Sequence, residues 1–205
     1  MAPKYSVTYF DVKGLAEPIR YVLAYAGVEF EDKRLNYDSW NDVKSSMPFQ
    51  KLPFLEEDGK VCNQSSAICR YLARKYGLMG NSEWEAMLVD AAVDTITDLR
   101  IDLGKYHFEQ VEEAKAKHKE SLEKEKLPYY LSTLEDMVKK NGGYLVGGKV
   151  TWADLHFASL NNLFSMLWDK KPITDNYPHL KALVDKVENL PKIKEWIDKR
   201  PVTEW

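Results

Sequence analysis

The stretch Tyr5-Ser6-Val7-Thr8-Tyr9-Phe10 alternates along its length and ends in aromatics. It then runs through Gly14 into Leu15-Ala16-Glu17-Pro18-Ile19-Arg20, a helical pattern. A period of two followed by a period near 3.6 predicts a strand and then a helix, here to about Ala26. Further strands are expected near Phe30 to Leu35, at Phe54-Leu55-Glu56 and at Val61-Cys62, with a turn of helix around Trp40 to Ser45 and a helix from Ser65 to Tyr76. A helix between the first two strands requires a crossover, whereas Asp58-Gly59 requires a tight hairpin.

The order β-α-β-α-β-β-α predicts a thioredoxin-like α/β domain over residues 1–77. Everything after Ser82 reads as helix, so an all-α helical bundle is expected over 82–205. Ser82, with Glu85 three residues on, is an N-cap signal ahead of Val89, Val93, Ile96 and Leu103 at helical spacing. A second helix is expected from about Ala114 to Lys140, stopped by Asn141-Gly142-Gly143. Thr151-Trp152-Ala153-Asp154 resembles a capping box, with Asp in place of the longer Glu or Gln, and opens a core helix through Leu155, Phe157, Leu160, Leu163 and Leu167.

With 205 residues, 44% hydrophobic content and a net charge of -3, the chain has the composition of a soluble globular protein. The Lys-rich run Lys115 to Lys126 is interleaved with Glu120, Glu123 and Glu125, which fits a solvated helix face and argues against nucleic acid as a partner. Met1-Ala2-Pro3-Lys4 leads into a strand without an apolar signal core, and no later run approaches the roughly 18 apolar residues of a membrane span. The expectation is a cytoplasmic protein without a membrane partner. Cys62 and Cys69, six residues apart, match neither a redox pair nor a zinc site, so both are expected to be reduced structural thiols, with no metal bound.

The end of the first strand is where a thioredoxin-like domain keeps its working residue. Here that place holds Tyr9 and no cysteine. A tyrosine hydroxyl can donate a hydrogen bond to the thiolate of a bound ligand, although Tyr9 taken alone also reads as an ordinary half-buried strand aromatic. Pro53, after Lys51-Leu52, is either an edge-strand trans proline or a cis proline that turns the Leu52 backbone toward an extended ligand. Ser65 is a natural N-cap, and a helix N-terminus also binds carboxylates; capping alone explains Ser65 but leaves Gln64 without a role. Asp90, Asp94, Asp98 and Asp102 form a carboxylate stripe that is either solvated or faces cations, and one of them could hold an ammonium group. A thiolate stabiliser, an open strand edge, a helix N-terminus and an acidic helix suit a small peptide bearing a thiol, carboxylates and an amine. Glutathione has that composition.

The order Tyr9-Phe10, Gly14, Glu17-Pro18-Ile19-Arg20, Trp40, Lys44, Met47-Pro48-Phe49, Lys51-Leu52-Pro53, Gln64-Ser65, Tyr71-Leu72 and Thr151-Trp152-Ala153-Asp154 resembles the sigma class of cytosolic glutathione transferases. The chain is similar to insect members of that class and to the haematopoietic prostaglandin D synthases. The resemblance implies the two-domain glutathione transferase fold, a homodimer, glutathione as co-substrate, and small electrophiles bound between the domains. It implies that Tyr9 stabilises the thiolate and that Trp40, Lys44 and Lys51 bind the glycyl end. Leu52, before a cis Pro53, would pair with the cysteinyl unit. Gln64 and Ser65 would hold the γ-glutamyl carboxylate, and Asp98 of the second subunit its ammonium group. Asp154 would be a buried capping residue.

Phe10, Val12, Leu15, Arg100, Leu103 and Tyr106 are the expected electrophile pocket, chosen because they follow Tyr9 or sit about a helical turn from Asp98. The expected activity is conjugation of glutathione to electrophiles, lipid-peroxidation products among them, together with glutathione peroxidase chemistry. Leu15 stands where the prostaglandin synthases carry arginine, Lys105 where they carry a pocket tryptophan, and Thr97 where they carry a metal-binding aspartate. These departures weaken the case for prostaglandin D synthesis and metal stimulation. A crystallin-like structural protein or ligand carrier on the same fold, or an isomerase of the prostaglandin type, is the alternative.

Overall fold

The structure, a computed structural model, describes residues 4–203, with Ser46 and Pro48 described by their backbone alone. Residues 1–3, 204 and 205, which the expected domains include, lie outside the described residues. The chain forms two compact units, one of residues up to Leu78 with those from Glu188 onward, the other Met79–Val187.

In the first unit β1 (Tyr5–Phe10) crosses over through a 3-10 turn (Gly14–Ala16) and α1 (Glu17–Tyr25) to β2 (Phe30–Leu35), to which it pairs in parallel. After α2 (Tyr37–Val43), β3 (Phe54–Glu57) and β4 (Lys60–Asn63) form an antiparallel hairpin, and α3 (Ser65–Lys75) follows. Asp58 and Gly59, at φ 49° and 78°, make the hairpin turn with two left-handed residues, the geometry that matches strand twist. The sheet order is β2-β1-β3-β4. Tyr5, Val7 and Leu55 from the sheet, Ile19, Val22 and Leu23 from α1, and Ile68, Cys69 and Leu72 from α3 are buried and supply the unit's core.

Glu57 fastens β3 to β1 and α3. It accepts hydrogen bonds from Tyr5 Oη (3.1 Å), from Tyr71 Oη (2.6 Å) and from Lys75 Nζ, and pairs with Lys4 at 3.1 Å. Burial works against its charge, yet these donors outweigh it and hold the carboxyl down at about 2. Cys69 is buried in α3 and its thiol is pushed up by burial, whereas Cys62 is exposed on β4. The expectation of two structural thiols therefore holds only for Cys69, because outward positions of an edge strand have nothing packed over them.

The second unit is helical: α4 (Glu83–Phe108), α5 (Glu112–Ser121), α6 (Leu127–Lys140), α7 (Trp152–Leu167) and α8 (Pro178–Glu188). The single helix expected from Ala114 to Lys140 is interrupted by a π-turn at Leu122–Lys126. Pro128 has no amide to give the carbonyl of Lys124, and its ring displaces that carbonyl, so the pitch widens there. Ser82 Oγ caps α4 by accepting from Glu85 N at 3.1 Å, and the Glu85 carboxylate reaches Asn81 N rather than Ser82 N. Glu135 on α6 accepts from the amides of His179 and Leu180 at 2.9 and 2.8 Å, an anion at the start of α8.

Twelve of the sixteen residues of α7 are buried, which makes it the central helix on which α4 packs. The expected capping box is present at its start. Asp154 accepts from Thr151 N (2.7 Å), from Thr151 Oγ1 (2.8 Å) and from Leu145 N (2.7 Å), so one carboxyl also pins the Gly-rich loop before the helix. His156 is pushed down to about 3 by burial and is neutral.

α9 (Pro191–Lys199) packs on α1. The second expected domain, 82–205, therefore loses its last stretch to the first unit. The physical reason is a set of bonds from α9 and its end to Glu17: Trp196 Nε1 donates at 2.8 Å, and Arg200 Nη1 donates to the same oxygen. Among the described residues no helix is long and apolar enough to cross a membrane.

Asp154→Ala leaves three buried donors without an acceptor and is expected to lower the unfolding free energy by about 2–4 kcal/mol, measured by urea denaturation. The Glu57 carboxyl lies below its ordinary 4.5 in the folded chain, so its stabilisation is complete above that pH and lost as pH falls toward 2. Glu57→Gln should flatten the fall in stability over this acid range in urea titrations at successive pH values.

Candidate functional site

Strand register decides which candidate residues meet in the first unit. Phe10 lies opposite Leu35 in the parallel pair, so β1 and β2 end at the same edge. Thr8 lies opposite Phe54 in the antiparallel pair, so β3 begins where β1 ends. Phe54 lies opposite Asn63, and β4 ends there too. Tyr9-Phe10, the start of α2, Leu52-Pro53 and Gln64-Ser65 come from four separate stretches and gather along one sheet edge.

Tyr9 is nine-tenths buried, its ring 5.6 Å from that of Phe10. Gly14 backs the phenol. Its φ is +44°, and a Cβ there would stand 2.7 Å from Tyr9 Cε1 and 3.1 Å from the hydroxyl oxygen. The half-buried Phe10 packs on Tyr37 at 4.8 Å and meets the buried Trp40 edge-on at 6.3 Å. Asn36 Oδ1 accepts from Ser39 N at 2.8 Å and so fixes the start of the helix that carries Trp40. Lys44 and Lys51 are exposed cations. The Leu52-Pro53 bond is cis, with Pro53 buried and Leu52 half-buried.

Gln64, at φ 74°, takes the N-cap position of α3, and Ser65 is the first helical residue. The expected N-cap at Ser65 is therefore displaced by one. The chain reverses from β4 into α3 within the single left-handed residue Gln64, so Ser65 already has helical geometry, and its amide is among the free donors of the first turn.

The four aspartates of α4 differ in surroundings. Asp94 and Asp98 are exposed and Asp90 is half-buried, whereas Asp102 is buried against Lys105 (3.1 Å) and Lys126 (3.0 Å), with Tyr130 Oη at 3.3 Å. Burial raises the Asp102 carboxyl, but the two lysines outweigh it and hold it below the ordinary range. Of the expected electrophile residues, Phe10, Val12, Leu15 and Arg100 are half-buried. Tyr106 is buried, donates to Asp169 Oδ2 at 2.6 Å and is pushed up to about 12, chiefly by burial. Leu103 is fully buried and offers no surface to a ligand. It falls on the core stripe of Val89, Ile96 and Leu99, since steps of three and four residues keep it on that face.

Sequence reading assigned no role to Glu17 and Arg20, both fully buried on α1. Arg20 donates to Asp32 Oδ1 (2.8 Å), to the carbonyls of Val12 (2.9 Å) and Lys13 (3.2 Å), and to Glu17 Oε2 (3.0 Å). Opposite charges three residues apart, flanked by Ile19, Val22 and Leu23, were the available signal. Thr97 Oγ1 is satisfied by the carbonyl of Val93 at 2.9 Å, and Lys105 is exposed. A cavity of 460 Å³ lies along β4 and α3, lined by Val61, Cys62, Ile68 and Tyr71 among others, and none of its lining residues is a candidate glutathione ligand.

Residues 5–74 match the family described as the glutathione S-transferase N-terminal domain, and residues 97–200 match its C-terminal domain. The chain is 44% identical over 200 residues to glutathione S-transferase S1 of Drosophila melanogaster, covering 98% of this chain and 80% of that protein. It is 39% identical to the hematopoietic prostaglandin D synthase of Homo sapiens, covering 98% of each. A solved structure of prostaglandin synthase D of Nilaparvata lugens superposes with a TM-score of 0.90 at 46% identity, covering 98% of this chain and 100% of that one.

Gly14→Ala combines a left-handed backbone with a contact into the Tyr9 ring. It is expected to lower the unfolding free energy in urea by about 2 kcal/mol or more.

Proposed function

Because the chain belongs to the glutathione S-transferase family, we propose that it is a sigma-class enzyme that conjugates glutathione to small electrophiles. Lipid-peroxidation products are among its substrates, organic hydroperoxides are reduced by the same thiol, and the biological role is detoxification. The protein works as a cytoplasmic homodimer. The first unit holds glutathione, and the helical one contributes pocket residues and dimer contacts.

Tyr9 Oη donates to the glutathione sulfur and favours the thiolate; each pKa unit of depression is about 1.4 kcal/mol of preferential stabilisation. The thiolate attacks an electrophilic carbon, the new C–S bond forms, and the displaced electron pair leaves with the departing group or takes up a proton. In the peroxidase reaction two glutathiones are oxidised to the disulfide while the hydroperoxide is reduced to alcohol and water. Trp40, Lys44 and Lys51 bind the glycyl carboxylate, Leu52 beside Pro53 pairs with the cysteinyl backbone, and Gln64 with Ser65 takes the γ-glutamyl carboxylate at the positive end of α3. Asp98 of the second subunit meets the ammonium group. Phe10, Val12, Leu15, Arg100 and Tyr106 contribute to the electrophile pocket.

What supports this reading most is the register that gathers β1's end, α2, the cis Leu52-Pro53 bond and the start of α3 along one edge. The homodimer draws support from exposed apolar side chains on elements of opposite charge. Tyr71 lies on the helix that carries the basic Arg70 and Arg74, and Trp84, Met87 and Leu88 lie on the helix that carries Asp90, Asp94 and Asp98. A second reading, prostaglandin isomerisation, is favoured by the names of two relatives and opposed by Leu15, Thr97 and Lys105.

The test is an ultraviolet titration of the bound thiol alongside steady-state kinetics. Tyr9→Phe is expected to cut turnover near neutral pH by about tenfold or more while the glutathione KM changes little, and to raise the thiol pKa toward its solution value. Unchanged turnover sinks the role given to Tyr9. Wild-type binding without any thiol shift would favour the ligand-carrier alternative.

A further inference from the structure

We propose that Arg20 is a positioning residue for the Tyr9 hydroxyl, acting through the carbonyls of Val12 and Lys13; the inference rests on Tyr9 being the thiolate donor. The loop from Asp11 to Gly14 follows directly on the strand that carries Tyr9. Hydrogen bonds within the backbone tie it at its ends, from Asp11 N to Leu35 O (3.2 Å) and from Glu17 N to Lys13 O (3.1 Å). Between them, Arg20 Nη1 donates to the carbonyls of two consecutive loop residues, Val12 and Lys13, at 2.9 and 3.2 Å. The next residue is Gly14, whose Cα side lies against the phenol, so that even a methyl group there would stand 3.1 Å from the Tyr9 oxygen. Loop height and phenol position are thereby one variable.

The arginine is itself held at two of its three nitrogens, Nε and Nη1, while Nη2 is buried without a partner. Its Nε is aimed by Asp32 Oδ1 at 2.8 Å, and the other oxygen of Asp32 accepts from Arg34 Nε at 2.8 Å. Arg34 in turn reaches Asp11 Oδ1 at 3.0 Å, at the near end of the same loop. Glu17 closes the far side, binding Arg20 through Oε2 while Oε1 takes Trp196 Nε1 and Arg200 from the chain's last helix and its end. A planar fork with fixed donor directions can hold acceptors from three segments at once, whereas an ammonium group presents no such plane. A guanidinium with no exposed surface is an expensive way to satisfy two carbonyls. A hydrogen bond to a thiolate depends steeply on geometry, and a loop set this rigidly is what such a bond requires.

The test is Arg20→Lys, which keeps the charge opposite Glu17 and removes the fork, compared with wild type and Tyr9→Phe. The readouts are the pKa of enzyme-bound glutathione, from its ultraviolet thiolate band across pH, and kcat and KM for glutathione. The expected result is a folded protein whose bound thiol pKa rises by about one unit, with kcat near neutral pH down about tenfold and glutathione KM within about threefold of wild type. An unchanged thiol pKa in folded Arg20→Lys, whatever happens to KM, overturns the inference. If Arg20→Lys does not fold, Asp32→Asn, which withdraws the charge that aims Nε but leaves the Arg20–Glu17 pair, is read the same way: a raised thiol pKa supports the proposal and an unchanged one overturns it. The Tyr9→Phe arm separates the two layers. A thiol pKa unmoved by Tyr9→Phe defeats the reading of Tyr9 itself, whereas one moved by Tyr9→Phe and unmoved by Arg20→Lys defeats only the role of Arg20.

Discussion

Glu17 and Arg20 sit on one turn of α1 with no exposed surface, and four parts of the first unit converge on them: α1 itself, the loop after β1, strand β2 and the segment from α9 to Arg200. Removing two charges from water costs several kcal/mol per ion, and a bare pair does not offset that. Here the deficit is met by distributing bonds. Glu17 accepts three, and Arg20 donates to two carboxylates and two carbonyls. The pair contributes fixity more than stability. Nε and Nη1 of Arg20 and both oxygens of Glu17 are engaged while Arg20 Nη2 is buried without a partner, so shifting any one of the four segments strips a further bond from a charge that is already short of one.

That constraint bears on the sheet edge where the candidate residues gather. A parallel β1–β2 pair and an antiparallel β1–β3 pair bring strand ends together without specifying where the loops beyond them lie. The loop after β1 is set by Arg20, the turn after β4 by the left-handed Gln64, and the segment before β3 by the cis bond at Pro53 after left-handed Phe49 and Gln50. Irregular backbone is therefore concentrated at the edge, while the strands behind it are regular.

The helical unit uses the same device once more. Asp154 is a carboxyl in the interior whose three acceptances tie the start of the central helix to the loop ahead of it. Asp102 differs in kind, since Lys105 and Lys126 match it with charge, and the π-turn forced by Pro128 ends at Lys126. What looks in sequence like a uniform acidic stripe is two exposed carboxylates, one half-buried and one locked in an ion cluster.

The sequence by itself determined the alternation of strand and helix to Gly77, the hairpin at Asp58-Gly59, and the caps at Ser82 and Thr151, and it named the stretches that the strand register gathers along one edge. All of these rest on local signals: periodicity, turn chemistry, capping and a motif order. Only the tertiary structure decided that α9 belongs with the first unit, that Leu103 is core, that Cys62 is exposed, that Gln64 takes the cap position, and that Glu17 and Arg20 face inward. These facts depend on which surfaces meet after folding. Trp196 and Glu17 are separated by most of the chain, and no periodicity in either neighbourhood encodes the other. A charged residue on an amphipathic helix reads as exposed until a distant partner is known to reach it.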